Sequence, residues 1–332
     1  MTAAVAVDLG KTGCRAVLWD GAGPAPDVHE VPGAPGLATD DGVTTARAAV
    51  LAAVRPLLAR EPSVRPSAVC VGAAGAAAAP DAARALAELL LDDLSAEEVA
   101  VTSDAVTAHA GALGGRTGVV LAIGTGSVAI GIGDDGTFAR VDGWGPWLGD
   151  EGSGAWIGAA GLRAALRAHD GRGPDTALLA AATERFGDPD RLPPALGRDG
   201  NPARTAASFA PDVARTAAAG DPTASAIVRD AATALGEAVL AAARRIGGDG
   251  LDVAVTGGLT GLGEPLLGPL RSTLAGFPRP LRPHPPLGDP LDGARLLALD
   301  SRRPHEPHVV RVRRTAPFPT VPTPPVSPPA VA

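Results

Sequence analysis

The sequence is poor in several residue types that mark particular classes of protein. Its 332 residues include only two cysteines, a single lysine (Lys11), one methionine and no tyrosine, and 3% of the chain is aromatic. Cys14 and Cys70 lie 56 positions apart, a spacing that matches neither a disulfide scaffold nor a Cys-x-x-Cys metal or cluster site. We therefore expect a protein of a reducing compartment.

Clustered positive charge is also absent. The net charge is −7, and the basic residues do not gather into a broad cationic face, so nucleic acid is not an expected partner. The first residues lack the basic start and long apolar run of a secretory signal, and we expect a cytoplasmic protein. The longest uncharged stretch, residues 117–133, is rich in glycine and shorter than a membrane helix requires. It predicts buried sheet and no membrane span.

The length predicts about two domains, since compact domains usually run ~100–200 residues. The chain opens with an apolar run at residues 3–7, the turn-rich LGKTG, and a second strand at residues 15–19 that ends at Asp20-Gly21, a hairpin signal. Helical patterning at 44–60 and 80–91 then alternates with strands at 68–71 and 99–102. The first half is therefore predicted to be a β-meander followed by β-α alternation.

The same theme recurs in the second half. VVLAIGTGSVAIGIG contains two apolar runs joined by a Gly-Thr-Gly-Ser turn, and such recurrence suggests two halves built alike. A helix is predicted from about Gly154 to His169. Asp221 as N-cap and Pro222 at the first helical position predict another helix that reaches about Ile246. A final strand at residues 251–256 runs into Gly257-Gly258 and a further helix.

Several common motifs are excluded. Gly10-Lys11-Thr12 resembles the end of a G-x-x-x-x-G-K-[ST] phosphate loop, but that loop requires glycine where Val5 stands. Gly124-x-Gly126 precedes strand-like rather than helical sequence, which argues against a dinucleotide fingerprint. No Gly-x-Ser-x-Gly elbow and no His-x-x-x-His pair occurs. What remains is a pair of small-residue turns between strands, with acidic residues at strand ends, a combination that suits phosphate and Mg²⁺.

Five segments, in this order, resemble the motifs of one known family. They are DLGKTGCRAVLWD, VTSDA, AIGTGSVAIG, GWGPWLGDEGSGAWIG and VAVTGGL, and together they span roughly residues 3 to 300. The sequence is similar to the N-acetylglucosamine kinases and related BadF-type (BadF/BadG/BcrA/BcrD) ATPases, within the superfamily of actin, sugar kinases and heat-shock chaperones. The Gly-Trp-Gly followed by Leu-Gly-Asp-Glu-Gly-Ser-Gly is the most distinctive segment.

The resemblance implies an α/β fold of two similar ribonuclease H-like (actin-like ATPase) domains with a cleft between them. The first domain would cover residues 1–115 and be completed by a helix near 290–300, and the second would cover residues 116–289. Residues 302–332, which are rich in proline and arginine, are predicted to form a disordered tail outside the fold. The implied activity is ATP-dependent phosphorylation of a hydroxyl, the 6-OH, of an amino sugar. ATP and Mg²⁺ are the implied cofactors, and a homodimer is the implied assembly.

The resemblance also implies roles for individual residues. Asp104 is the general base that receives the proton of the sugar hydroxyl, whereas spacing alone makes it an N-cap. Asp8 holds Mg²⁺, although it could also be a turn residue. The implied nucleotide-binding residues are Gly10, Thr12, Gly124, Thr125, Gly126, Gly257 and Gly258. The implied sugar-binding residues are Asp104, Ser127, Gly143, Trp144, Gly145 and Asp150. Trp147 and Trp156 are expected to be packing residues.

Two departures from the family pattern concern the substrate. Gly36 stands near the position of an asparagine in the relatives that phosphorylate N-acetylglucosamine, and Val128 stands where they carry a polar residue. N-acetyl specificity is therefore not expected to transfer. Two other functions remain open: an ATPase that activates a dehydratase, which would need a cluster held by cysteines, and a non-catalytic sugar- or nucleotide-binding regulator.

Overall fold

Two β-sheets flanked by helices organise the chain in a computed structural model that describes residues 3–19, 27–198, 200–248, 250–276 and 278–315. The strands are β1 (Ala4–Leu9), β2 (Gly13–Trp19), β3 (His29–Pro32), β4 (Ala68–Ala73), β5 (Glu98–Thr102), β6 (Gly118–Ile123), β7 (Ser127–Ile132), β8 (Phe138–Asp142), β9 (Leu251–Thr256), β10 (Leu281–His284) and β11 (Val310–Arg313). The helices are α1 (Gly42–Arg60), α2 (Pro80–Asp93), α3 (Asp104–Ala112), α4 (Gly154–His169), α5 (Leu178–Phe186), α6 (Leu192–Gly197), α7 (Pro202–Ala207), α8 (Ala210–Ala218), α9 (Pro222–Ile246), α10 (Glu264–Ala275) and α11 (Pro290–Leu299). Short 3-10 turns occur at Ala76–Ala78, Pro189–Arg191, Gly258–Leu262 and Glu306–His308.

The first sheet has the strand order β11-β5-β4-β1-β2-β3. β1 pairs with β2 antiparallel and with β4 parallel, as the predicted meander followed by β-α alternation requires. α1 and α2 cover one face of this sheet, and α3 and α11 cover the other. Strand β3 was not predicted. The Asp20-Gly21 hairpin signal lies outside the described residues.

Helix α1 is long and apolar enough to cross a membrane by length and composition. Among the described residues it is the single helix that meets this test. One face of α1, which includes Ala46, Val50 and Val54, is buried against the first sheet, while alanines such as Ala48 and Ala52 are exposed. This burial is the pattern of a core helix within a folded domain.

The second sheet has the strand order β10-β9-β6-β7-β8, and β6 and β7 confirm the predicted second meander. The helices predicted at Gly154 and after Asp221 are confirmed. The Asp221 carboxylate caps α9 by accepting a hydrogen bond of 2.9 Å from the backbone N–H of Ala224. Alanine and leucine positions on α9 pack with Phe209 and Ile157 in the larger core of the molecule. Strand β8 and the helices α5 to α8 were not predicted.

The helix predicted near residue 290 is present as α11, and its residues pack on the first sheet. α11 crosses α3 so closely that a Cβ atom on Gly111 would lie 1.9 Å from the carbonyl oxygen of Asp289. A Cβ on Gly293 would lie equally close to the carbonyl oxygen of Thr107. Glycine is therefore required on both helices, because any larger residue would force them apart.

The prediction that the chain leaves the fold at residue 302 is wrong for residues 302–315. β11 pairs antiparallel with β5, and Val310 and Val312 pack on the core of the first domain. The Arg311 guanidinium is buried and forms ion pairs with the carboxylates of Glu98 and Glu306. Proline content therefore misled the prediction, because the segment also carries valines that pack on the core and arginines, Arg311 and Arg313, that pair with Glu98. Residues 316–332 of the predicted tail lie outside the described residues.

The docked segment also contacts the second domain. The His308 ring is 2.7 Å from the carbonyl oxygen of Gly136, between β7 and β8. The carbonyl oxygen of His308 also accepts a hydrogen bond of 2.6 Å from the hydroxyl of Thr102 on β5, so His308 bridges the two sheets.

Two fully buried histidines meet nearby. His109 Nδ1 lies 2.9 Å from His305 Nε2, and His109 Nε2 lies 3.0 Å from the carbonyl oxygen of Gly118. A carbonyl only accepts, so His109 Nε2 carries the proton and His305 Nε2 donates to His109 Nδ1. His305 Nδ1 is then a buried acceptor without a partner in the described residues.

Acidification should destabilise the fold through these two rings. Burial lowers the pKa of His109 to about 4 and that of His305 to about 3, whereas the unfolded chain titrates near 6.5. As the pH falls, the unfolded state takes up protons before the folded state does. The stability that the two neutral rings contribute is therefore complete above pH ~7 and decreases as the pH falls below that value. The free energy of unfolding should drop by about 1.4 kcal/mol per histidine between pH 7.5 and pH 5.5.

Denaturant titrations of the wild type and of His305→Gln at both pH values measure this contribution. The variant has one titrating ring fewer and should lose about 1.4 kcal/mol less than the wild type over the same interval. Equal losses in the two proteins would contradict the assignment.

Candidate active site

Two short turns of small residues, one in each sheet, are the framework of the site. The first joins β1 to β2, where Gly10 donates its N–H to the carbonyl oxygen of Gly13 at 2.9 Å. The second joins β6 to β7, where Gly124 donates to the carbonyl oxygen of Gly126 at 2.8 Å. Both were predicted between paired strands, and both are confirmed there. Turns of this kind leave backbone N–H groups accessible to an anion.

A cavity of about 710 Å³ lies between the first and the second domain. It is lined from the first domain by Gly75, Ala77, Ala78, Ser103, Asp104 and Ala105, and from the second by Ala122, Ile123, Gly124, Gly126, Ser127, Val128, Ile130, Phe138, Arg140, Gly143, Asp150 and Gly257. Its volume is within the range of small-molecule sites. Seven predicted site residues are thus brought together in one cleft: Asp104, Gly124, Gly126, Ser127, Gly143, Asp150 and Gly257.

Asp104 is the first residue of α3 and faces this cleft. Ser103, not Asp104, is the N-cap, since its hydroxyl accepts the N–H of Val106 at 3.3 Å. The Asp104 carboxylate accepts the N–H of Ala105 at 2.8 Å. Burial raises the pKa of Asp104, and the charge of Asp8 adds to this, while the Ala105 N–H and the Lys11 ammonium act in the opposite direction. The first turn is therefore close enough to act electrostatically on this carboxylate.

Asp8 lies on β1 opposite Arg15 of β2, and the two side chains form an ion pair of 2.7 Å. The Asp8 side chain is 19% exposed. Arg15 also reaches the carboxylate of Asp289 at 3.4 Å, and Asp289 caps the start of α11. The predicted metal residue is thus held by an arginine that sequence reasoning did not select. Asp8, Gly10 and Thr12 are not among the residues that line the cavity.

The second turn is fixed by the start of α4. Gly154 donates its N–H to the carbonyl oxygen of Gly124 at 2.8 Å, and Ala155 donates to that of Thr125 at 3.1 Å. The Ser127 hydroxyl is buried and donates to the carbonyl oxygen of Glu151 at 2.9 Å. Ser127, a predicted sugar contact, therefore ties the turn to the loop that precedes α4.

That loop, residues 143–151, is organised by a residue that the sequence did not single out. The Asp142 carboxylate accepts the N–H groups of Asp150 and Glu151, each at 2.8 Å. Asp142 and Asp150 both have positive φ angles, 62° and 54°, a conformation that aspartate tolerates better than most residues. The Asp150 carboxylate accepts the N–H of Gly145 at 3.2 Å, and its Oδ2 would be 2.6 Å from a Cβ atom on Gly126. The loop therefore presents Asp150 to the second turn.

The three tryptophans of this region differ from one another. Trp144 is 66% exposed, and the Arg140 guanidinium lies 5.1 Å from its ring centroid, so Trp144 is not a core residue. Trp147 is 89% exposed, and the prediction that it is a packing residue is wrong. Trp156 packs against the core of the second domain, as predicted. Gly143 lines the cleft, whereas Trp144 and Gly145 lie beside it.

Gly257 ends β9 at the cleft with a φ angle of +99°. A Cβ atom there would lie 2.2 Å from the carbonyl oxygen of Ile123, at the end of β6. Gly258 begins a 3-10 turn and has nothing within 4 Å of its Cβ position. The glycine pair therefore combines one position that requires glycine with one that leaves open space.

Gly257→Ala should destabilise the second domain by about 2 kcal/mol or more, because it combines an unfavourable φ with a backbone clash. Gly258→Ala is the matched control and should change the free energy of unfolding by less than about 0.5 kcal/mol. Denaturant titration measures both variants. Equal effects of the two substitutions would contradict the described turn.

Comparisons with known proteins give two kinds of relatives, curated proteins and solved structures. A curated N-acetylmuramic acid/N-acetylglucosamine kinase of Clostridium acetobutylicum is 34% identical over 34% of this chain and 36% of its own length. A curated N-acetyl-D-glucosamine kinase of Dictyostelium discoideum is 31% identical over 36% of this chain and 37% of its own length. The chain thus matches little more than a third of the length of these curated relatives. A crystal structure of a candidate N-acetylglucosamine kinase from Chromobacterium violaceum is 31% identical, covers 90% of this chain and 99% of its own, and superposes with a TM-score of 0.64.

The structural likeness, together with two flanked sheets and a cleft between them, confirms the predicted fold of two similar actin-like ATPase domains. The family model described as "BadF/BadG/BcrA/BcrD ATPase family" matches residues 5–271, which include both glycine turns, Asp104 and Asp150. The chain therefore belongs to the BadF/BadG/BcrA/BcrD ATPase family.

Proposed function

We propose that this protein is an ATP-dependent kinase that transfers the γ-phosphoryl group to a hydroxyl, the 6-OH, of an amino sugar such as N-acetylglucosamine or glucosamine. The observation that carries the proposal is the single cleft in which Asp104 of the first domain faces the Gly124–Ser127 turn and Asp150 of the second. Phosphoryl transfer depends mainly on alignment and on charge stabilisation. A cleft with a carboxylate on one wall and backbone N–H groups on the other supplies both.

The nucleotide is assigned to the glycine turns. Gly10 and Thr12 on one side, and Gly124, Thr125 and Gly126 on the other, can contact its phosphates through backbone N–H groups and hydroxyls. The open space at Gly258, beside Gly257, suits the adenosine portion. Membership of an ATPase family supports ATP as the nucleotide.

The donor set also fits Mg²⁺ of the kind that accompanies ATP. Such an ion is usually held by one or two carboxylates, phosphate oxygens and water rather than by an all-protein cage. Asp8 offers one carboxylate near the first turn, and no group of three or more His, Cys, Asp or Glu side chains suited to a metal occurs in the described part of the chain. Because it lies at the end of β1 beside the first turn, Asp8 is the residue that would hold the ion, which would neutralise phosphate charge during transfer.

Asp104 is assigned to accept the proton of the attacking hydroxyl. Its burial and the nearby charge of Asp8 raise its pKa, which makes the carboxylate a better proton acceptor. Asp150 and the backbone of Gly143, Trp144 and Gly145 are assigned to the sugar. Val128 lines the cleft as an apolar residue, so the choice between acetylated and free amines has to be measured.

The dehydratase-activator alternative is weakened by where the cysteines lie. Cys14 is on β2, opposite Leu9 of β1, and Cys70 is on β4, opposite Ala6 of β1. The two cysteines belong to cores on opposite faces of the first sheet. Burial raises the pKa of each thiol to about 12, which disfavours the thiolate that a cluster ligand requires. The pair therefore cannot hold one cluster within one chain.

The proposed activity is tested by ADP release with MgATP and glucosamine, N-acetylglucosamine, N-acetylmuramic acid or glucose. We expect at least one amino sugar to stimulate ADP release well above the rate without sugar, and mass spectrometry to find the phosphate on its 6-OH. ATP binding without stimulation by any of these sugars would instead favour a non-catalytic regulator.

Asp104→Asn should lower kcat by a factor on the order of 10²–10⁴, because the amide cannot accept the proton. Nucleotide affinity should change little, since Asp104 is assigned to the acceptor and not to the phosphates. Glu151→Gln removes an exposed carboxylate near the same cleft and serves as the control, with an expected change in kcat of less than about 3-fold. Turnover of Asp104→Asn at the wild-type rate would refute the role of Asp104.

A further inference from the structure

A second cavity adjoins the sugar side of the cleft. Its volume is about 480 Å³, and it lies between α4, α6, α7 and the loop before α4. Most of its wall is apolar, and the larger apolar side chains are Trp147, Trp156, Leu162, Leu166, Leu192 and Leu196. An apolar cavity of this size suits a hydrophobic group of a small molecule.

The second cavity and the cleft share one lining residue. Asp150 lines both cavities. The loop that carries Asp150 begins with Gly143 in the wall of the cleft and continues through Pro146 and Trp147 in the wall of the second cavity. A molecule held by Asp150 in the cleft is therefore next to a residue that also lines the second cavity.

The shape of the second cavity indicates the length of its occupant. α4 contributes Trp156, Ala159, Arg163 and Leu166 at intervals of three or four residues, so they lie on one helical face. The ten residue steps of helix from Trp156 to Leu166 correspond to about 15 Å. The cavity can therefore accept an extended group rather than a single methyl.

We propose that this cavity is an acceptor subsite that binds an apolar substituent, an alkyl or aryl group, carried by the amino sugar. The proposal rests on the proposed function, and it names the class of acceptor that the site favours. Contact with leucine and tryptophan side chains removes the substituent from water, and Asp150 holds the sugar at the junction with the cleft. Acceptors with longer apolar substituents are then better substrates than N-acetylglucosamine.

Two substrate series test the subsite. One extends the amide of glucosamine from N-acetyl to N-butanoyl, N-hexanoyl and N-benzoyl, and the other extends the glycoside of N-acetylglucosamine from methyl to hexyl. We expect kcat/KM for ADP release to rise at least 10-fold along one series, since each methylene that leaves water contributes up to about 4-fold. A flat or falling kcat/KM along both series overturns the subsite.

A variant whose side chain fills the cavity, compared with a control variant outside it, provides a second test of the subsite. Ala203, on α7, lines the cavity and is half-buried, so Ala203→Phe should occupy it. Ala160, on α4, is also half-buried but does not line the cavity, and Ala160→Phe is the control. Ala203→Phe should abolish the gain with chain length and leave turnover of N-acetylglucosamine within about 3-fold, while Ala160→Phe should keep the gain. A gain that survives in Ala203→Phe overturns the proposal.

Failure of the subsite differs from failure of the proposed function. Turnover of N-acetylglucosamine without any effect of chain length refutes only the subsite, whereas no ADP release with any amino sugar refutes the kinase.

Tryptophan fluorescence gives a readout without turnover, because Trp147 and Trp156 line the cavity. N-hexanoylglucosamine should quench this fluorescence in the wild type and not in Ala203→Phe. Loss of a dimer in Ala203→Phe by sedimentation, without an effect of chain length, would show that a second copy covers this surface and would overturn the proposal.

Discussion

Helix α3 is held from two sides, and this constraint fixes the geometry of the cleft. On one side it crosses α11 at Gly111 and Gly293, where neither helix has room for a Cβ atom. On another side, at the C-cap of α3, Leu113 packs with Val120 and Ala254 of the second sheet. A helix packed this tightly cannot shift without disturbing both domains. Asp104, at its first position, is therefore presented to the cleft by a rigid element, which is what a residue that aims a substrate requires.

Three carboxylates around the cleft have different environments. Asp8 is paired with Arg15, Asp104 is buried near Asp8, and Asp150 is on a loop whose backbone is fixed by Asp142. Chemically similar groups in different surroundings can take different roles in one site. The roles proposed for the three come from the family resemblance, and these different neighbours are compatible with a division of roles among them.

The second turn and the loop before α4 form one connected unit. The N-terminal residues of α4 donate to the carbonyl groups of Gly124 and Thr125, and Ser127 donates to Glu151. Any movement of the loop that carries Asp150 is thereby coupled to the turn assigned to phosphate. The same loop also forms part of the wall of the apolar cavity. Acceptor and nucleotide are thus assigned to neighbouring parts of a single hydrogen-bonded structure.

Prediction from the sequence succeeded where the signal was local. The two glycine turns, the capping of α9 by Asp221 and the bounds of α4 follow from residues a few positions apart. It failed for β11, because composition hid a docking that depends on Arg311 meeting Glu98, 213 positions earlier. It also missed strand β3 and the helices α5 to α8, whose positions depend on packing against distant elements rather than on a strong local pattern.

The sequence alone determined the two-sheet architecture and the kinds of residue at the cleft, since strand alternation and glycine turns are encoded over short stretches. Tertiary structure decided which other residues hold the residues of the cleft in place. Arg15 pairs with Asp8 across a turn but reaches Asp289 only through the fold, and Asp142 fixes Asp150 because the loop between them curls back. The apolar cavity beside Asp150 is likewise formed by helices distant in the chain. Such contacts arise from close packing of separate elements, which no local pattern specifies.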